Sequence, residues 1–160
     1  IKRNNMYWLN LIIPLLVFIP NLVYLKLQPE NAPQEQLSIP KYLKIIEWIG
    51  RAGMIITPLF SPFYAGSVAG ELGLIAMIVF LFLYYAGWGR YFLNGRIYEY
   101  LYLPLLGIPV PLAISAVVYF LYASFLISSI WLFIATLVFA AGHIPISVIS
   151  YKAIKNNVGV

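Results

Sequence analysis

Apolar residues run along this chain in five long stretches, at 7–27, 42–60, 71–91, 101–123 and 128–150, separated by short polar or Pro/Gly-rich joints. Each stretch has on the order of 20 residues, the length an α-helix needs to cross a hydrocarbon core. The pattern predicts an all-α, polytopic membrane helical bundle: five transmembrane helices in one integral-membrane domain covering residues 1–160.

The stretches differ in what interrupts them. In the first, Asn10, Pro14, Val17, Asn21, Tyr24 and Gln28 recur at helical spacing and share one face, so that stripe should meet other helices and not lipid. Lys2 and Arg3 before it resemble the start of a signal peptide, but the run is long and Lys26-Leu27-Gln28-Pro29 follows without a small-x-small site. A retained span is expected. The second stretch carries Lys44, Glu47 and Arg51 on one face and Ile45, Ile46, Trp48, Ile49, Ile55 and Ile56 on the others. Glu47 can pair with Arg51 or Lys44 along such a helix. The stretch reads as a span, with an interfacial amphipathic helix beside four spans as the alternative.

Between the third and fourth stretches, Tyr84–Pro111 gathers Trp88, Arg90, Arg96, Glu99, six Tyr and three Pro. Tyr and Trp favour the level of lipid headgroups, and a guanidinium fork matches phosphate oxygens. Arg90, Arg96, Tyr91 and Trp88 are therefore candidates for contact with anionic headgroups. Pro104, Pro109 and Pro111 beside Gly107 predict bent or unwound backbone. At membrane depth such backbone must be buried or line a cavity, so a cavity is expected near Gly107–Pro111. Gly107, Pro111, Ser115, Tyr119 and Tyr122 share a face of stretch four; Ser124, Ser128 and Ser129 supply the turn before stretch five.

Stretch five places Ser129, Thr136, Ala140, His143, Ser147 and Ser150 on one small, polar face. Small residues let helices approach closely, which makes this a packing face. A titrating His143 inside a bundle would instead mark a ligand or proton path. Pro145 leaves the carbonyl of Ala141 without its helical donor, one turn from His143. His143 is expected to be hydrogen-bonded within the bundle.

Composition narrows the chemistry. The chain is 62% hydrophobic and 9% charged, against about 25% charged in soluble domains. The net charge of +5 is dispersed as Lys2/Arg3, Lys41/Lys44, Arg90/Arg96 and Lys152/Lys155. That is the pattern of basic cytoplasmic loops and not a nucleic-acid face. It predicts a multi-pass protein of the cytoplasmic membrane, with Arg90, Arg96 and the C-terminus on the cytoplasmic side. There is no Cys, no Asp and one His, which excludes disulfides, a Ser-His-Asp triad and a multi-histidine metal site. GxSxG, HExxH, P-loop and GxGxxG motifs are missing. No cofactor and no metal is expected.

These features point first to a membrane protein acting through lipid or protein partners, including a second copy of itself. The first alternative is a small transporter or ligand-binding carrier, its polar cavity lined by spans one, four and five. Asn10, Asn21, Ser115, Tyr119, Thr136, His143 and Ser147 would then form the cavity or packing face. The second alternative is a lipid-modifying enzyme using His143 with Glu99 or Glu71.

Overall fold

The computed structural model describes residues 7–32, 37–62 and 68–158. Lys2, Arg3 and parts of the joints at 28–41 and 61–70 lie outside the described residues. The described chain is helical: α1 (Ile12–Lys26), α2 (Lys41–Ile56), α3 (Val68–Leu93), α4 (Pro111–Leu126) and α5 (Ile130–Val158). Short 3-10 turns at Trp8–Leu11, Thr57–Phe60 and Tyr98–Leu101 extend or join them. No strand occurs among the described residues beyond one isolated bridge, Leu105 to Ile108. Three stretches of helix are long and apolar enough to cross a membrane: Trp8–Lys26, Gly70–Leu93 and Ile130–Asn156. α4 is apolar but has only 16 residues, a rise of about 24 Å.

Two boundaries differ most from the hydrophobic pattern. The fourth helix starts at Pro111, not Leu101. Before it, Leu106 and Gly107 adopt φ of 52° and 80°, in a tight turn closed by Leu105 N–H to Ile108 O (3.1 Å) and Ile108 N–H to Leu105 O (2.9 Å). Val110, held off the right-handed helix by the following proline, has φ 42°, and Pro111 takes the first helical position, where its missing N–H costs nothing. The break before α5 falls at the serines: Ser128 has φ 48°, and Ser129 Oγ caps the helix by accepting from Leu132 N–H at 3.2 Å. α5 then continues past residue 150 to Val158, with Lys152 and Lys155 near the end that the helix dipole makes favourable for cations.

α2 lies along α5, α3 along α4, and α4 against α5, while α1 sits more lightly on α3 and α4. α2 and α5 run antiparallel and almost touch backbone to backbone. A Cβ on Gly50 would stand 2.2 Å from Phe139 N, and one on Gly142 would stand 2.5 Å from Glu47 N. Tyr84, Trp88, Tyr91, Tyr119, Phe120, Leu132 and Phe139 belong to one shared core. The outside is apolar too: Ile12 and Leu22 on α1, Tyr42, Trp48 and Ile49 on α2, Ile75 and Phe82 on α3, and Trp131 on α5 are all exposed.

The helix ends are tied by polar contacts. At one end Arg96 pairs with Glu30, Asn31 Nδ2 donates to Glu99 at 2.7 Å, and Tyr91 Oη donates to Leu27 O at 2.8 Å. At the other, Asn10 Nδ2 donates to Pro58 O (3.1 Å) and Ser61 O (2.7 Å). Ser61 Oγ donates to Ser129 Oγ at 2.6 Å.

Candidate functional site

A cavity of about 260 Å³ lies among all five helices, in the half nearer the Lys26, Lys41 and Lys152 ends. Its charged wall is built by α2 and α5. Glu47 and Arg51, one helical turn apart, form an ion pair. The close approach at Gly142 delivers His143 to the same carboxylate oxygen, with Nδ1 3.0 Å from Glu47 Oε1. A carboxylate can only accept, which places a proton on Nδ1. Nε2 makes no hydrogen bond to a described residue, and His143 lines the cavity. The imidazole stacks on Phe139 with ring centroids 4.5 Å apart. The Arg51 guanidinium lies over Phe139 at 5.9 Å and over Trp48 at 5.4 Å.

The opposite wall comes from α1 and α3. Asn21 Nδ2 donates to Tyr84 Oη at 2.7 Å and to Val17 O at 2.8 Å. Tyr84 Oη donates to Val17 O at 3.1 Å. Trp88 stacks on Phe92 at 5.5 Å; its indole N–H lies near the Tyr84 hydroxyl but outside hydrogen-bond geometry. Met54, Val17, Phe120 and Phe139 make an apolar floor.

Leu101, Tyr102 and Val110 form the roof, and Arg90 holds it down. Its guanidinium donates to Pro104 O (2.9 Å), Tyr100 O (2.8 Å) and Leu103 O (2.6 Å) and lies over the Tyr100 ring at 5.4 Å. Burial pushes the Tyr102 phenol well above its usual range, so it stays protonated. The mouth faces α1 and α2. Phe18, Asn21, Glu47 and Arg51 keep part of their surface open, whereas Tyr84, Trp88, Ala113, Ala116, Phe120 and Ser147 are buried.

The residues singled out in the sequence separate into three groups. Asn21, Trp88, His143 and Ser147 line the cavity. Asn10 serves the far end of the bundle, as above, and three others sit in buried packing. Tyr119 Oη donates to Ile13 O at 3.1 Å, Thr136 Oγ1 donates to Leu132 O at 2.7 Å, and Ser115 is fully enclosed. Arg90, Arg96 and Tyr91 meet protein groups. Glu99 bonds Asn31, and Glu71 is exposed at the start of α3. The carboxylate beside His143 is neither of these but Glu47. Sequence reading left Glu47, Arg51, Tyr84 and Tyr102 out of the site. A signal did exist for the first two, because charges on one face of an otherwise apolar helix are cheapest facing inward if lipid surrounds it.

Among the described residues, fold and cavity together define an all-helical architecture, with three helices of membrane-crossing length, around a charged and aromatic-walled chamber. The chain matches no protein-family model, and no curated protein or solved structure is significantly similar to it.

Proposed function

We propose that this is a five-span membrane protein of the ligand-binding or carrier kind, which holds a small amphipathic molecule in the chamber among its helices. The observation that carries this reading is the Glu47–Arg51–His143 group standing on the wall of a cavity. Ionisable groups within a bundle are costly and face interior cavities or paths when they have work to do. Action through lipid or partner contacts alone leaves that wall without a use. A volume near 260 Å³ falls just under the ~300–1,000 Å³ of small-molecule sites.

The membrane part of the reading is supported by the outer surface. Soluble monomers rarely expose apolar patches beyond a few hundred Å², yet α1, α2, α3 and α5 all show large apolar side chains outward. α2 supports a fifth span, since Tyr42, Ile45, Trp48 and Ile49 face out while Glu47 and Arg51 turn to the cavity. Every Lys and Arg of the described residues except Arg51 lies at the end shared by Lys26 and Lys152. The positive-inside rule puts that end, and the C-terminus, in the cytoplasm. The mouth between α1 and α2 then opens sideways to lipid.

Native mass spectrometry of protein purified from membranes tests this. Wild type is expected to carry a small molecule, and Ala116→Phe, which fills the cavity from α4, is expected to release it while keeping its helical content. Wild-type protein with nothing bound, and a Tm that no membrane-derived amphiphile raises, would refute the reading.

The unbonded Nε2 of His143 favours a second reading, a lipid-modifying enzyme. An imidazole oriented through Nδ1 by a carboxylate can take a proton at Nε2. On this reading, membranes expressing wild type show an altered lipid profile and those expressing His143→Gln do not. An unchanged profile in both removes the enzyme and leaves the binder.

A further inference from the structure

We infer that the chamber takes a carboxylic acid with a medium-length apolar tail, its carboxylate received by Arg51 at the mouth and its tail laid on the Met54, Val17, Phe120 and Phe139 floor. This rests on the chamber being a binding site. The argument starts from what Arg51 still has to give. A guanidinium carries five N–H donors in a planar fork, and here only Nη2 is engaged, by Glu47. The side chain is 32% exposed and lines the cavity, so the remaining donors are open to a ligand that enters.

Charge decides the sign of the head. Glu47 is balanced by Arg51, and His143 shares the same carboxylate oxygen. The wall therefore carries no net negative charge, and a cationic head would have to lie against a guanidinium.

The mouth selects among acids. It is flanked by Phe18 and by the apolar outer faces of α1 and α2. A carboxylic acid can pass such a threshold neutral and ionise beside Arg51, giving its proton to the unbonded Nε2 of His143. Phosphate and sulfonate heads cannot shed their charge in this way and would carry the full desolvation cost. Once ionised, a carboxylate matches the guanidinium fork. Size sets the tail. At about 260 Å³ the cavity sits just below the ~300–1,000 Å³ of small-molecule sites, so a medium-length chain such as that of octanoic acid suits it.

The test uses the full chain in lipid nanodiscs and measures thermal stabilisation and Kd for octanoate, octanol and octylammonium. Octanoate is expected to bind at least about tenfold more tightly than octanol, a difference of ~1.4 kcal/mol, and octylammonium is expected to be weakest. Arg51→Gln should cancel the preference for octanoate over octanol, and Arg51→Lys should keep part of it. If Arg51→Gln fails to fold, the wild-type series decides alone. Octanol or octylammonium binding as tightly as octanoate overturns the carboxylate assignment and leaves the binding site standing. Failure of all three to bind overturns the inference. The binding-site reading falls with it only if wild-type protein also carries no co-purified molecule.

Discussion

Gly142→Ala is expected to unseat α2 from α5 and to lower stability by about 3 kcal/mol, the upper part of the usual overpacking range. The new methyl would meet Glu47 N at 2.5 Å, Leu43 O at 2.7 Å and Glu47 Cα at 2.8 Å. These are backbone atoms, which cannot rotate aside, so the helices must part. Gly50→Ala should behave alike, with Phe139 N at 2.2 Å and Phe139 Cα at 2.4 Å. Gly89 is the control. It lies within α3 with nothing inside 4 Å of its added Cβ, so Gly89→Ala should be neutral or gain about 0.5–1 kcal/mol from helix propensity. Unfolding of the three variants in mixed micelles checks the ranking. Equal stability of Gly142→Ala and Gly89→Ala would show that α2 does not sit on α5 as described.

The second large effect belongs to Glu47. Glu47→Ala leaves the Arg51 guanidinium and the His143 imidazole without their common acceptor. Removing one partner of a buried pair costs about 3–5 kcal/mol. Here the side chains are 14% exposed for Glu47 and 32% for Arg51, so the lower end, about 3 kcal/mol, is expected. Glu47→Gln retains an acceptor oxygen and should lose less. The double change Glu47→Leu with Arg51→Met should recover most of the loss, because the cost lies in the orphaned charge and not in the missing contact. Equilibrium unfolding of the three variants beside wild type reads this directly. A Glu47→Ala protein as stable as wild type would mean that water screens the pair and that the cavity wall is not a low-dielectric site.

The helices themselves were legible because period and length are local properties. The Asn10–Asn21 stripe turns inward as its spacing requires: Asn10 reaches Pro58 O and Asn21 reaches Tyr84. The serines near 128 do stop one helix and cap the next. The start of α4 was missed because hydropathy cannot see φ. Leu101–Val110 is as apolar as a helix yet folds into a 3-10 turn and a left-handed corner. The site was less legible, since its central contact joins residues 96 apart in sequence. Arg90 looked like a headgroup ligand because a guanidinium suits phosphate and carbonyl oxygens alike. Only the tertiary structure shows that three carbonyls of the following loop are within its reach.

The inward-facing charges of α2 also bear on how the chain is made. On the five-span reading, α2 emerges from the ribosome with Glu47 and Arg51 paired only to each other, and His143 is 96 residues away. At roughly 5–20 residues per second, that interval lasts about 5–20 seconds. During it α2 has no α5 backbone to lie against at Gly50 and no third member for its charged face. Its hydrophobic side suits the membrane surface in the meantime, where its charges can stay in water. On that reading, insertion of α2 would be completed only when α5 arrives, and the surface helix and the span would be successive states of one segment.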